Sequence, residues 1–377
     1  MTSAVARPYQ VCVRCVMDTS DPAIAFDERG VCNHCRGYDA ALARLPPPGE
    51  RPAALASLLD RIRRRGRGRD YDCVLGLSGG VDSTFLALKA KQWGLRPLAV
   101  HFDSGWNSEI AVGNIERTVK RLGFDLITEV CDWPEMRDLQ RAYLKASVLD
   151  ADVPQDHAFI AVLFRAAARA GIGTILSGHN LQTELVLPDD WVHAPGDWIN
   201  LRAIHRAHGQ APLRRFPVMS LFERLWRERV QGIRFERPLS LIDYDQKTAM
   251  AEIAAELGWV YYGGKHWESV FTRFFQTYYL PRKFGIDKRR AHLANLVAAG
   301  QVTRDQALAE LGRNLGAGDE PADVANYVRK KLGFDEEELA RIMAAPRRSH
   351  HGFATWDGYR RPLLRLRRLL GGETRAA

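Results

Sequence analysis

Long apolar runs are missing from this chain. Nothing in it approaches the roughly 18 consecutive apolar residues that a helix needs to cross a bilayer. The opening MTSAVARPYQ has no apolar segment of the kind that directs export. A cytoplasmic protein with no membrane partner is the expectation. Cysteine is scarce, six in 377 residues, and four of the six stand in two close pairs. Neither remaining thiol, Cys73 or Cys131, lies in a Gly-x-Cys-x-Gly elbow, and residue 2 is Thr2, so a glutamine-hydrolysing cysteine of either usual kind is excluded. The Gly-Lys-Ser/Thr of the lysine-bearing phosphate loop is also lacking. Acid is short of base, 45 Asp and Glu against 54 Lys and Arg, for a net charge of +9. Such a balance suits anionic ligands (ATP, nucleotide sugars or nucleic acid) without choosing among them.

Where cysteine does occur, its spacing is informative. Cys12 and Cys15, sixteen residues, then Cys32 and Cys35 form two knuckles whose four thiolates can close a tetrahedral zinc site. An iron–sulfur cluster would use the same ligands, and a disulfide pair is the alternative in an oxidising compartment. A metal there would hold together some 40 residues that have little core of their own. His34 lies inside the second knuckle but is not needed as a ligand. Leu45 to Glu50 reads as a Pro-rich linker, and a helix follows over Ala53 to Arg64. The arginine run Arg61 to Asp70 is either a phosphate-backbone patch or a solvated helix end.

From Tyr71 onward, short apolar runs alternate with helical patterns. Strands are expected at Cys73–Leu77, Leu98–Phe102, Asp125–Val130, Thr174–Ser177 and Pro238–Ile242. Helices are expected near 109–122, 135–148, 155–170 and 246–257. This is the pattern of an α/β protein, a parallel sheet with helices on both faces, whose ligands sit beyond the carboxyl ends of the strands. The segment Leu187 to Gly209 reads as an insertion over that end of the sheet rather than as core.

The first strand runs into Ser78-Gly79-Gly80-Val81-Asp82-Ser83 and then a helix. Glycines leave the backbone N–H groups uncovered, and a new helix begins with unpaired N–H groups and partial positive charge. The turn is an anion cradle. Asp82 within it would repel a polyphosphate unless a divalent cation such as Mg²⁺ bridged the two. At the other strand ends, Asp103 and Gly178 are candidates to line an adenosine pocket, Asp103 alternatively serving as a turn or cap residue. His179 either contacts phosphate, acts as a base, or is structural. Further on, Tyr261 to Leu296 sets Lys265, His266 and Lys288 among many aromatics. Rings that stack and charges that fix phosphate and carboxylate suit a sugar or nucleotide, although Phe271, Phe274, Phe275 and Tyr278 have the spacing of core residues. Short helices are expected from His292 to Ala344, with turns at Gly300, Gly312 to Gly318 and Gly333, and then a basic tail, Arg360 to Arg368.

The SGGVDS loop resembles the PP-loop of the N-type ATP pyrophosphatases, which split ATP into AMP and pyrophosphate. The resemblance implies that Ser78, Gly79, Gly80, Val81, Asp82 and Ser83 hold the pyrophosphate end while a substrate oxygen attacks the α-phosphate. The four-cysteine ribbon, this loop and GGKHWES…FGIDKRRAHL together resemble the N-acetyl sugar amidotransferases of the WbpG/PseA type. That resemblance covers most of residues 9 to 312. It implies four parts: 1–45 as zinc ribbon, 46–70 as linker and helix, 71–260 as PP-loop ATP pyrophosphatase domain, and 261–377 as a mainly helical substrate-binding region. It further implies an acetamido sugar or nucleotide sugar as acceptor, with ATP, Mg²⁺ and Zn²⁺ as cofactors. Asp82 and Lys265 would be catalytic, and His179, Lys265, His266 and Lys288 would bind substrate. The amide oxygen is adenylated, ammonia displaces AMP, and an acetamidino sugar for lipopolysaccharide or another surface glycan results. A separate glutaminase subunit would supply the ammonia. A PP-loop tRNA thiolase is the alternative, with Cys131 as its one plausible sulfur carrier; otherwise nucleic acid is not an expected partner. A zinc-ribbon protein that only binds would leave the SGGVDS loop unexplained.

Overall fold

The computed structural model describes residues 8–315 and 321–358. The basic tail at Arg360 to Arg368 and part of the Gly312 to Gly318 turn therefore lie outside the described residues.

Five short runs, the first four carrying Val, Leu or Ile, form one parallel sheet: β1 (Cys73–Gly76), β2 (Pro97–Asp103), β3 (Leu126–Val130), β4 (Thr174–Leu176) and β5 (Arg234–Glu236). Their order is β3-β2-β1-β4-β5 and every pairing is parallel. β1 is central and buried, as a strand covered on both faces must be, whereas β3 is an exposed edge. One core layer packs the Val153–Arg169 helix and Trp106, Leu139 and Phe164 on one face of the sheet. The other packs the helices Val81–Gln92 and Gln246–Leu257 on the opposite face, through Phe85, Leu86 and Ile253. The α/β class read from the sequence is what the chain adopts.

Two elements depart from the expectation. The fifth strand is Arg234–Glu236, not Pro238–Ile242; Pro238–Leu241 is a 3₁₀ turn. Pro238 has no N–H to donate to a ladder, so the strand must end before it. The segment after Leu187 is only partly a cover. Trp191 and the Trp198–His208 helix, with Leu201 and Ile204, are buried in the core, while Val186, Leu187 and Val192 face the cleft.

The C-terminal region is helical as expected, with one unusual element. Val270–Phe274 is an α-helix that continues as a π-helix, Phe275–Phe284. Phe271, Phe274 and Phe275 are buried in the core. The ribbon docks on this region. Arg290 reaches Asp18 at 3.0 Å and the Val16 carbonyl at 2.8 Å, and Arg304 donates to the carbonyls of Cys12 and Cys15, both at 3.1 Å. No helix among the described residues is long and apolar enough to cross a membrane.

Candidate functional site

The turn after β1 is held open from outside. Gly79 takes φ +80°, and a Cβ there would stand 2.6 Å from the Ala111 carbonyl oxygen, so only glycine fits. Its own carbonyl accepts the Trp259 indole N–H at 2.9 Å. Within the turn, the Gly80 N–H donates to Ser78 Oγ (3.2 Å) and the Ser78 N–H to Ser83 Oγ (3.3 Å). The Val81–Gln92 helix starts here with no side-chain cap, so its first N–H groups are free to meet an anion. Gly178, at the end of β4, makes the approach possible from the other side: a Cβ on it would lie 2.9 Å from the Asp82 carbonyl carbon. Ser78, Gly80, Val81, Asp82, Ser83, Gly178 and His179 line one cavity of about 290 Å³. Gly79 is not among its lining residues; its role is the bend.

Asp103 is placed otherwise than as a pocket residue. Its Oδ1 accepts from the Gly105 N–H at 2.8 Å and from Asn107 Nδ2 at 3.0 Å, which fixes the turn after β2. Its neighbours Phe102 and Ser104 line the cleft instead. A short carboxylate two residues before an N–H closes an Asx turn in this way.

The Tyr261 to Ser269 segment is stitched across the carboxyl ends of the strands. The Ser108 N–H donates to the Glu268 carbonyl and the Val270 N–H to the Trp106 carbonyl, both at 2.8 Å. Gly263 (φ +100°) and His266 (φ +64°) provide the bends. For histidine this left-handed conformation costs about 1 kcal/mol or more, a strain characteristic of functional loops. The segment carries Lys265 into the cleft. Its ammonium lies 3.2 Å from Glu184, 3.2 Å from the Thr183 carbonyl and 4.0 Å from Asp82 Oδ2. Glu184 also meets His179 at 2.6 Å and His266 at 3.9 Å. His266 stands 3.8 Å from Glu268 as well.

These contacts set the charges. Burial pushes the Asp82 carboxyl above its usual range, partly offset by Lys265. Tyr244 and Asn180 (3.3 Å) donate to its Oδ1, leaving Oδ2 without a hydrogen bond and facing Lys265. Burial acts on Glu184 in the same sense, but Lys265 and His179 outweigh it and hold that carboxyl below the usual range. Desolvation would lower Lys265; Glu184 and Asp82 reverse this and raise it, so it stays charged.

A second cavity of about 440 Å³ adjoins the first and shares Ser78, His179, Glu184, Lys265, His266 and Glu268 with it. Lys288 and His292 form part of its wall, and Asp150, Asp152 and Asp156 another part. The structure thus brings Asp82, Gly178, His179, Lys265, His266 and Lys288 into one connected cleft. Glu184, Tyr244 and the three aspartates were not singled out from the sequence. The run Asp150-Ala-Asp-Val-Pro-Gln-Asp156, three carboxylates in seven residues, was the available signal.

The ribbon is separate. Cys12, Cys15, Cys32 and Cys35 are buried, and their sulfurs all lie within 4.8 Å of one another. The separations of 3.9 Å for Cys12–Cys35 and 3.7 Å for Cys15–Cys32 are far too long for disulfides. Backbone N–H groups of Arg14, Cys15, Cys32 and Cys35 point at the sulfurs at 3.3–3.4 Å, as they do at metal-bound thiolates. The donor set fits a closed structural zinc site.

Comparison with known proteins bears on the C-terminal region. Residues 268–366 match the family described as LPS biosynthesis protein WbpG-like, C-terminal domain. This bears out, over that region, the resemblance read from GGKHWES onward. A search of curated proteins gives no significant match. Among the solved structures that align are a predicted subunit of tRNA methyltransferase from Methanocaldococcus jannaschii (18% identity, 48% of this chain and 75% of that one, TM-score 0.27), NMN synthetase from Francisella tularensis (15%, 79% and 92%, 0.32) and NH3-dependent NAD synthetase from Campylobacter jejuni (13%, 79% and 98%, 0.30). At those TM-scores the likenesses carry no argument.

Proposed function

We propose that the chain is an ATP-dependent amidotransferase that converts an acetamido sugar, free or nucleotide-linked, to an acetamidino sugar, releasing AMP and pyrophosphate. The observation that carries this is the pair of joined cavities with Lys265 in the wall of both. One has the anion cradle of the Ser78–Ser83 turn; the other is roomy and polar, and lies under the region that matches the WbpG-like family.

An amide carbon is a poor electrophile. Moving its oxygen onto the α-phosphate makes that oxygen leave readily as AMP. The chain's work is positional and electrostatic. The N–H groups of the Ser78–Ser83 turn that are not bonded within it hold the pyrophosphate end. Lys265 neutralises charge where the amide oxygen and the α-phosphate meet. Glu184 and Thr183 keep its ammonium in that place, and Glu184 and Glu268 orient His266 beside it. Asp82 Oδ2, the open carboxylate oxygen, would hold Mg²⁺ together with phosphate oxygens; the ion would supply further charge neutralisation. The zinc ribbon is structural. Ammonia comes from a separate glutaminase, since the chain has no cysteine nucleophile of that kind. The protein works in the cytoplasm on precursors of a surface glycan.

The test is mass spectrometry of the purified chain with ATP, an ammonium salt and a panel of acetamido sugars. AMP with a product one mass unit lighter than the acceptor, oxygen exchanged for NH, supports the reading. ADP and orthophosphate refute it. The thiolase alternative is disfavoured by a specific observation. Burial, with Asp103 and Asp132 nearby, pushes the Cys131 thiol up to about 12, so it is protonated at neutral pH. It lines neither cavity, and Cys73 is fully buried in β1.

A further inference from the structure

The acidic wall of the larger cavity lies outside the cavity of the Ser78–Ser83 turn, and its three carboxylates are not equivalent. Asp150 accepts from the His193 and Asp152 N–H groups at 2.9 and 3.4 Å. Asp152 accepts from Gln155 and from the Thr272 hydroxyl, the latter at 2.7 Å. Asp156, in the first turn of the Val153–Arg169 helix, is exposed to the cavity and makes no side-chain hydrogen bond or ion pair among the described residues. Gln276 stands four residues beyond Thr272 and so faces the same cavity. It is 7% exposed, and its amide nitrogen has no hydrogen-bond partner. A carboxamide can turn to offer its oxygen instead at little cost in shape. Here, then, are a free carboxylate and an unpaired buried amide in a cavity whose three wall aspartates are opposed by Lys288, its other lysine, Lys265, being paired with Glu184.

We propose that Asp156, with Asp150 and Asp152 behind it and the Gln276 amide in the same cavity, docks and deprotonates ammonium, the nitrogen donor of the reaction proposed above, on which this inference rests. The chemistry favours ammonium over the competing ligands. A divalent cation here would find one open carboxylate and no phosphate oxygens to complete its shell, unlike the site at Asp82, whereas Asp150 and Asp152 already accept from N–H and O–H donors. A neutral sugar hydroxyl would leave the excess negative charge unbalanced. A small cation with several N–H donors satisfies Asp156 and Gln276 at once. Gln276, Lys265, Thr183 and His292 also line a third cavity of about 280 Å³, which borders the one with the acidic wall. Desolvation within the cavity and the charges of Asp152 and Asp150 raise the Asp156 carboxyl above its usual range, against the opposing pull of Lys288 and His266, which favours its taking a proton from ammonium.

The step balances as follows. The amide N–H proton is lost to solvent as the amide oxygen is adenylated. Ammonium gives one proton to the Asp156 carboxylate. The lone pair of the resulting ammonia forms the C–N bond at the adenylated carbon. The C–O bond breaks with its electron pair leaving on AMP, and the product departs as an amidinium cation. Asp156 then returns its proton to solvent.

The test varies ammonium chloride at fixed ATP and acceptor. Asp156→Asn should raise KM for ammonium at least about tenfold with KM for ATP unchanged, and Gln276→Leu should raise it less. Hydroxylamine, already neutral at pH 7, should restore much of the lost turnover in Asp156→Asn. An unchanged ammonium KM, or equal loss with both amines, overturns the proposal. A second measurement needs no turnover. At matched ionic strength, ammonium chloride should raise the Tm of the wild type above its value in sodium chloride, and Asp156→Asn should abolish the difference. No difference in the wild type, or the same difference in the variant, also overturns it. If no acetamido sugar yields AMP, the amidotransferase reading falls while the Tm comparison still decides whether ammonium binds at Asp156.

Discussion

Two buried clusters of ionisable groups sit in this chain, one in the ribbon and one in the cleft, and they are finished to different degrees. In the ribbon every buried acid has its partners. Asp18 takes hydrogen bonds from Tyr9 (3.0 Å) and Ser20 and an ion pair from Arg290, and Asp21 pairs with His34 at 2.6 Å. The four thiols close on one another. In the cleft, among the described residues, Asp82 Oδ2 and the buried Gln276 amide nitrogen are left without hydrogen bonds, and so is the Asp156 carboxylate, which is open to the cavity. A buried polar group without a partner costs about 1–3 kcal/mol, so a fold that keeps several in one place is equipped for a ligand. The finished cluster is architecture and the unfinished one is the site. The ribbon nevertheless supports the cleft, since Arg290 and Arg304, which bind it, flank the wall that carries Lys288 and His292.

The sharpest way to break this contrast is to unfinish the ribbon. Cys32→Ser should abolish stoichiometric zinc, measured by elemental analysis, and destabilise the chain by more than about 4 kcal/mol, because metal binding and folding of such a unit are one event. Zinc retained with an unchanged Tm would remove the structural role. Next in size is Lys265→Met. AMP formation should fall by on the order of 10³, as for loss of a group aimed at developing charge, while zinc content stays at the wild-type value. If both fell together, the two clusters would be one cooperative unit.

Arg290→Ala tests the link between them. Asp18, 2% exposed, would lose its cation, which should cost about 3 kcal/mol. The zinc should remain, and KM for the acceptor should rise more than KM for ATP. Equal changes in the two KM values would mean that the ribbon does not brace the acceptor wall. Gly178→Ala is smaller. The new Cβ meets backbone at 2.9 Å, so the Ser78–Ser83 turn must shift, at a cost of about 1–3 kcal/mol. ATP should bind more weakly, measured by calorimetry, and an unchanged affinity would move the nucleotide elsewhere.

Legibility followed the same division. The ribbon was readable because its four ligands come in local pairs, and the turn at Ser78 because strand, glycines and helix start are contiguous. Lys265, His266 and Lys288 drew notice through a charged, aromatic-rich stretch. Glu184, Tyr244 and Asp156 did not. Each reads locally as an ordinary helix or loop residue; only the crossing of β4, the Val153–Arg169 helix and the Tyr261–Ser269 segment brings Glu184 and Asp156 to Lys265 or its cavity, and only the fold brings Tyr244 to Asp82. Asp103 drew notice by its place after a strand, but a carboxylate there closes the local turn. Pro238 misled in the opposite way, since an apolar run around it looked like a strand that its missing N–H forbids.

The smallest effect concerns pH, and it separates Glu184 from His266 within the cleft. Glu184 lies below its ordinary value of 4.5, because Lys265 and His179 outweigh the effect of burial. Its contribution to stability is therefore complete above 4.5 and is lost as pH falls below that value. His266 moves the other way. Desolvation would lower it, but the hydrogen bond and charge of Glu268 raise it above 6.5. Its contribution is complete below 6.5 and is lost as pH rises through the folded value. Thermal denaturation from pH 6 to pH 9 should thus show a decline that His266→Asn flattens and Glu184→Gln leaves in place. Below pH 4.5 the roles should reverse, with Glu184→Gln the flatter curve. Identical slopes for the two variants in either range would mean that these pairs do not hold the cleft, and Lys265 would need another anchor.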